Sequence, residues 1–333
     1  MLKKFLTFSI SLALFLPLSS NLLAWDSTGH RLSAAVALNF VEMNTRDTLF
    51  EILAAHPRYQ QDFIDAIPDF IDADNQSQLQ QWLLGQAAYW PDIARGLPDA
   101  ERRRFNRPPW HYTDGAWVRD HAQLQGNVYV DLERFEDIAG MPREDVISEA
   151  DVSNVTTAID YNTRVLIDSS RPASDRAIAL CWVLHLMGDI HQPLHAGSLF
   201  SPVLFDTGDR GGNGIAIGDD TLHGRWDSAL AEGGFLAELP LLLDLAAGYR
   251  ETNAAGAATN WSQWLNESRQ LIQSIVYTTA MVRAIRNADA NNSSMPAVTL
   301  SNDYVGRMEQ TSRQRLGLAG LRMANFFNAE LTR

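Results

Sequence analysis

The chain has 333 residues, 46% hydrophobic and 20% charged, with one cysteine, eight histidines, nine tryptophans and a formal net charge of −13. This core-forming composition excludes intrinsic disorder, a collagen-like repeat and a multi-span membrane protein. The lone Cys181 excludes an intrachain disulfide framework and a cysteine-based zinc finger, and the acidic balance by itself argues against a nucleic-acid partner, since such proteins are usually basic.

Residues 1–24 read as a secretory leader. Lys3 and Lys4 form its positive start, Phe5 to Leu18 is an apolar run short for a bilayer, and Ser19, Ser20 and Asn21 precede Leu22-Leu23-Ala24. Leu22 is large for position −3, yet Ala24 is the best residue for −1; an uncleaved anchor is the alternative. Cleavage there makes Trp25 the first mature residue and, by removing Lys3 and Lys4, takes the formal charge to −15. The expected protein is secreted or periplasmic, with no membrane span after the leader is removed. It cannot form a disulfide within its own chain in such a compartment, and bound metal is a natural replacement.

Helical periodicity dominates the rest. Gly29 to Met43 carries Leu32, Val36 and Phe40 on one stripe. Thr45 to Ala55 forms a second helix stopped near Pro57, and Leu79 to Tyr89 a third, ended by Pro91. Asn127 to Leu132 is a short strand candidate, and Ser148 to Asp168 a long helix. Ser174 to Asp189 starts on Ser174 as N-cap with Asp175 in its first turn. Phe205 to Thr221, with five glycines and alternating Ile215 and Ile217, suggests a small hairpin. Phe235 to Tyr249, Trp261 to Asn287 and Asp303 to Leu331 are the remaining helices. The expected fold is all-α: one mostly helical domain over residues 25–333 with at most a small β-hairpin. Six N-x-S/T matches, Asn75 and Asn154 among them, carry little information.

The histidines and aspartates are patterned. His185 and Asp189 lie four apart and share a helix face, and His223 and Asp227 repeat that spacing. His195 follows in the run His191-Gln-Pro-Leu-His195. Upstream, Asp92 and His111 sit beside Trp90 and Trp110. One such pair is ordinarily a surface pair or a core hydrogen bond. Two pairs with further histidines in glycine-punctuated contexts suit a metal, and imidazole with carboxylate but no thiolate suits zinc held for hydrolysis. A new terminus at Trp25 would add an amine of low pKa, about 8, which gives up its proton to a metal more readily than lysine does. His30, five residues on, could reach the same ion.

These residues resemble the zinc-dependent, single-strand-specific secreted nucleases typified by mung bean nuclease. The resemblance rests on His185-x-x-x-Asp189-x-x-x-x-x-His195, on Gly211-Gly212-Asn213 and on Leu222-His223-x-x-Trp226-Asp227, and runs from Trp25 to at least Asp227. It implies the helical trinuclear zinc fold shared by phospholipase C and these nucleases. It implies three Zn²⁺ ions: one on Asp92, His111, His185 and Asp189; one on the Trp25 amine and carbonyl, His30 and the other Asp189 oxygen; one on His195, His223 and Asp227. Arg95 then faces the transferring phosphate, and Tyr112, Asp114 and Asn213 form a nucleobase pocket. The implied activity is endonucleolytic hydrolysis of single-stranded DNA and RNA to 5′-phosphorylated products, with 3′-nucleotidase activity, by a monomer. His191 occupies a non-ligand position, while His56 and His121 match no motif and read as surface or capping residues. A zinc phospholipase C, which the Trp25–His30 spacing and the final Asp227 disfavour, and a non-catalytic zinc-binding protein are the rival readings.

Overall fold

The structure, a computed structural model, describes residues 25–331 apart from 114, 119–122, 128–147, 207 and 257–258. The proposed leader, Asp114 and His121 therefore lie outside the described residues.

Helix α1 (Ser27–Phe40) is the centre of the molecule. Asp26 starts it by accepting the amides of Thr28 and Gly29. The sequence suggested an amphipathic stripe, but Ala34, Ala35 and Ala37 are buried as well as Leu32 and Val36, because helices pack against it from several sides. These are α3 (Gln76–Ile93), α8 (Gly234–Glu251) and α11 (Asn302–Glu330). The approach of α11 is close: a Cβ on Gly320 would stand 2.6 Å from Ser33 O and from Val36. In a second pair, α5 (Val155–Ile167) packs on α6 (Ala173–Asp189), which in turn packs on α3, with α2 (Met43–Ala54) also against α6. Short helices α4 (Asp99–Phe105) and α7 (Leu222–Asp227) and the later α9 (Trp261–Leu271) and α10 (Thr279–Asn291) complete the set. Among the described residues no helix is long and apolar enough to cross a membrane.

Several boundaries differ from expectation for identifiable reasons. Helix α3 passes through Pro91 to Ile93, since a proline in the last turn forfeits only one backbone bond. Helix α5 begins seven residues later than the pattern suggested, where Asn154 and Thr157 form a reciprocal capping box. Helix α6 starts at Ala173 with Pro172, not Ser174, at the cap position. The expected Trp261–Asn287 helix is two helices. After α9 the chain winds through a π-turn, Ile272–Val276, and leaves the helix at Tyr277, whose hydroxyl donates to Asp209 Oδ2 at 2.5 Å. Thr278 then caps α10.

The predicted hairpin is present as β4 (Ala216–Ile217) and β5 (Asp220–Thr221). A three-stranded sheet accompanies it, in the order β2-β1-β3, from β1 (Gly115–Val118), β2 (Gln123–Asn127) and β3 (Ser198–Phe200). Of the strand expected over Asn127 to Leu132, only Asn127 is described, as the end of β2. Strand β1 pairs parallel with β3 and thereby joins the segment after His111 to the segment after His195.

Candidate metal centre

The site is built where helix ends and turns converge. His185 and Asp189 occupy the last turn of α6, on one face. His30 sits one turn into α1, opposite Gly188, where a Cβ would lie 3.1 Å from its Nδ1. Asp92 is in the last turn of α3, and His111 and His195 each end a 3₁₀ turn. His223 and Asp227 lie four apart on α7.

All eight of these side chains are buried, and they form two connected groups. In the first, Asp189 directs its oxygens to different partners. Oδ1 is 3.5 Å from His30 Nε2, and Oδ2 is 3.2 Å from both His111 Nδ1 and His185 Nε2. Asp92 lies 4.0 Å from His30 Nε2 and 3.9 Å from His185 Nε2. In the second group His223 Nε2 is 3.2 Å from Asp227 Oδ2 and from His195 Nε2. His195 Nδ1, 3.6 Å from Asp189 Oδ1, links the two groups.

Main-chain carbonyls set the tautomers. His185 Nδ1 donates to Ala88 O at 2.7 Å, His195 Nδ1 to His111 O at 2.6 Å, and His223 Nδ1 to Gly211 O at 2.7 Å. Each Nε2 is then an acceptor turned toward the other candidate ligands; that of His185 lies 2.8 Å from His111 Nδ1. The Nε2 atoms of His195 and His223 cannot hydrogen-bond each other at 3.2 Å in these tautomers, and two lone pairs facing each other in a buried space repel. His30 Nδ1 and Nε2, Asp189 Oδ1 and Asp227 Oδ2 are buried without a hydrogen-bond partner. Such orphans are costly unless a cation accepts them. Donor atoms 3.2–4.0 Å apart bracket the edge of a tetrahedron around zinc, roughly 3.3 Å for bonds of about 2.0 Å. The residues fit metal ions.

The electrostatics agree. Burial, then the neighbouring His185, holds His30 well below the usual imidazole range; burial, then Arg95, does the same for His111. Burial also lowers His195. For His185 burial is the largest influence, but Asp189 and Asp92 outweigh it and the pKa rises. Burial would raise Asp189 too, but the surrounding histidines hold it well below the usual carboxylate range. Burial raises Asp92 and Asp227. Neutral imidazole is the ligand form, and His30, His111 and His195 are kept in it.

Trp25 is buried beside this cluster. Its indole N–H donates to Gly188 O at 3.0 Å, and the Asp26 amide donates to Asp227 O at 3.1 Å, so the chain at 25–26 is tied to both groups. Arg95 stands at the rim with Nη2 2.8 Å from Asp92 Oδ1. Tyr112 is half-buried; its carbonyl accepts the Val155 amide, and next to it the Thr113 amide donates to His195 O. Asn213, also half-buried, donates from Nδ2 to Arg210 O at 2.8 Å.

Two sequence readings change. His56 is not a surface residue: it is buried edge-on against Phe63 and Trp90, and its Nδ1 accepts the Arg58 amide. Gln192 was overlooked. Its Nε2 donates to Asp227 Oδ1 at 2.7 Å while its Oε1 accepts the Leu194 amide at 2.6 Å. Its place between His191 and His195 was the available signal. His191 is indeed no ligand: Nδ1 donates to Met187 O and Nε2 accepts from Arg322.

A buried constellation of imidazoles and carboxylates without thiolate, carried on a helical scaffold, defines a metal-dependent hydrolase. A sequence profile described as S1/P1 Nuclease matches residues 25–332, and the chain belongs to that family of metal-dependent nucleases, which hydrolyse phosphodiester bonds. It is 30% identical to Endonuclease 4 of Arabidopsis thaliana over 194 residues, which cover 52% of this chain and 59% of that protein, under two thirds of its length. It is 24% identical to Nuclease S1 of Aspergillus oryzae over 327 residues, covering 93% and 95% of the two chains. Endonuclease 3 of Arabidopsis thaliana is 22% identical, with 96% and 93% covered.

Proposed function

We propose that residues 1–24 are a leader and that residues 25–333 form a secreted or periplasmic, monomeric zinc endonuclease. It cleaves single-stranded DNA and RNA to 5′-phosphorylated products and removes phosphate from 3′-nucleotides. The observation that supports this most strongly is the pair of facing Nε2 lone pairs on His195 and His223, 3.2 Å apart. The donor set suits three Zn²⁺ ions. Asp92, His111, His185 and Asp189 would hold one, Trp25, His30 and Asp189 a second, and His195, His223 and Asp227 the third. Zinc held in such sites supplies a hydroxide near neutral pH and a Lewis acid for phosphoryl oxygens.

The protein's own groups do the rest. Asp189, with its oxygens aimed at different histidines, would be shared between two ions. Arg95 sets a guanidinium against the equatorial oxygens of the phosphate, where charge gathers during displacement. The Tyr112 ring stacks on a base, and Asp114 and Asn213 address its polar edge. A stacked base must be unpaired, so single strands are favoured over duplex.

The test is metal analysis of processed protein with assays on single-stranded and duplex DNA. Three zincs per chain and preference for single strands are expected. Adding one Met before Trp25 should lower zinc content and activity together; unchanged stoichiometry would overturn the terminal-amine ligand. Turnover of phosphatidylcholine vesicles but not of denatured DNA would replace the nuclease reading with a phospholipase.

A further inference from the structure

Behind the metal ligands lies a cavity of about 260 Å³. Its floor is Trp110 and Trp182, with ring centroids 4.8 Å apart. Trp182 also touches His111 at 5.3 Å and His185 at 6.0 Å between centroids, so one indole separates this cavity from two ligands of the cluster. Tyr161, half-buried and 5.9 Å from Trp110, forms one wall.

The rim is cationic in an otherwise acidic protein. Arg102, Arg103, Arg104 and Arg107 fall within six residues of a chain whose net charge is −13. Arg104, Arg107 and Arg171 line the cavity. Arg107 is held by Glu149 and lies over the Trp110 ring. Arg171 is exposed, with Nε 3.5 Å from Asp168. Arg104 is exposed and stacked on Phe105, with no carboxylate against it among the described residues. Asp175 is the other acid of the lining. An exposed guanidinium held on an aromatic ring, as Arg104 is on Phe105, suits forked hydrogen bonding to phosphate oxygens, and the exposed Arg171 adds a second fork. The space admits a phosphate with part of its sugar, and the Tyr161 ring offers that sugar an apolar wall.

Resting on the nuclease reading, we propose that this cavity is a second anchoring site for the substrate strand. It takes backbone phosphate one or more nucleotides from the scissile bond, through Arg104 and Arg171. A strand held at both places is longer than a mononucleotide, so the site selects for polymer over 3′-nucleotide.

The test uses the zinc-loaded enzyme and the double variant Arg104→Ala/Arg171→Ala, leaving the Arg107–Glu149 pair intact. A single-stranded 12-mer and 3′-AMP are compared across a salt series. Loss of two phosphate contacts should flatten the log–log salt dependence for the 12-mer by about 1.4 and raise its KM roughly fivefold at low salt. Kinetics on 3′-AMP should not move. An unchanged salt slope and KM for the 12-mer would overturn the proposal, as would an equal loss on 3′-AMP, which would report a disturbed metal centre. If the wild-type enzyme cleaves no nucleic acid, the nuclease reading falls by itself. The cavity is then judged by fluorescence anisotropy of a labelled phosphorothioate 12-mer, where equal binding by both proteins rejects it.

Discussion

Gln192 shows how one amide can set the behaviour of a neighbouring ligand. Asp227 Oδ1 is occupied by Gln192 Nε2, and Gln192 cannot turn because Oε1 holds the Leu194 amide. Oδ2 is thereby the oxygen left for an ion shared with His195 and His223. Gln192→Ala should weaken the metal at that one site about 10- to 100-fold. Chelator competition with zinc analysis would show it as one ion lost early and the others retained; wild-type retention of every ion would refute the role. Gln192→Glu should be worse, since it sets a carboxylate against Asp227. At this scale the candidate ligands were readable because few residue types bind zinc and two His-x-x-x-Asp spacings fall on helix faces. Gln192 is marked only by its place between His191 and His195, since glutamine itself carries no such signature. His56 was misread because its burial depends on Phe63 and Trp90, contributed by other elements.

Among the elements, the loop between β3 and β4 matters as much as any helix. Arg210, Gly211 and Gly212 all adopt positive φ, and a Cβ on Gly211 would stand 2.3 Å from Leu194 O. The same Gly211 offers the carbonyl that fixes the His223 tautomer. Gly211→Ala should therefore cost about 1–3 kcal/mol of stability and weaken metal binding at the His195, His223 and Asp227 group, seen as a lower melting temperature and reduced occupancy. A variant with normal stability and full metal occupancy would show that the loop tolerates the methyl. The long helices were readable from their period. Their interruptions were not: the break at Tyr277 answers to Asp209, a partner 68 residues away, and no local pattern announces it. β3 has three residues, too few for alternation to register.

For the molecule as a whole, pH resistance turns on buried groups remote from the surface charge. Burial drops the His56 pKa to about 3, against an ordinary 6.5. The unfolded chain takes up a proton below pH 6.5 that the folded one refuses, so stability falls from there down to about pH 3. The full loss is about 5 kcal/mol, of which about 2 should appear by pH 5. Asp209 acts oppositely: burial raises it to about 6, so its contribution is favourable in acid and lost as pH rises through that value. Comparing wild type with His56→Gln isolates the histidine. In chelator, so that metal release does not contribute, urea unfolding should show the variant losing less stability between pH 7 and pH 5; identical slopes would refute the assignment. The net charge, readable at once, had pointed away from nucleic acid. It averages over the whole chain, whereas the candidate metal ligands are gathered in one buried cluster.

The acceptors that orient His185, His195 and His223 are the carbonyls of Ala88, His111 and Gly211. Every amino acid carries that oxygen. Mutation can replace the side chain at position 88 without touching the bond to His185, provided the helix persists. The proton placement of the site is thus written in the path of the backbone, which drifts more slowly than the identities of the residues along it. A lineage can exchange most of its amino acids and still inherit the same arrangement of lone pairs.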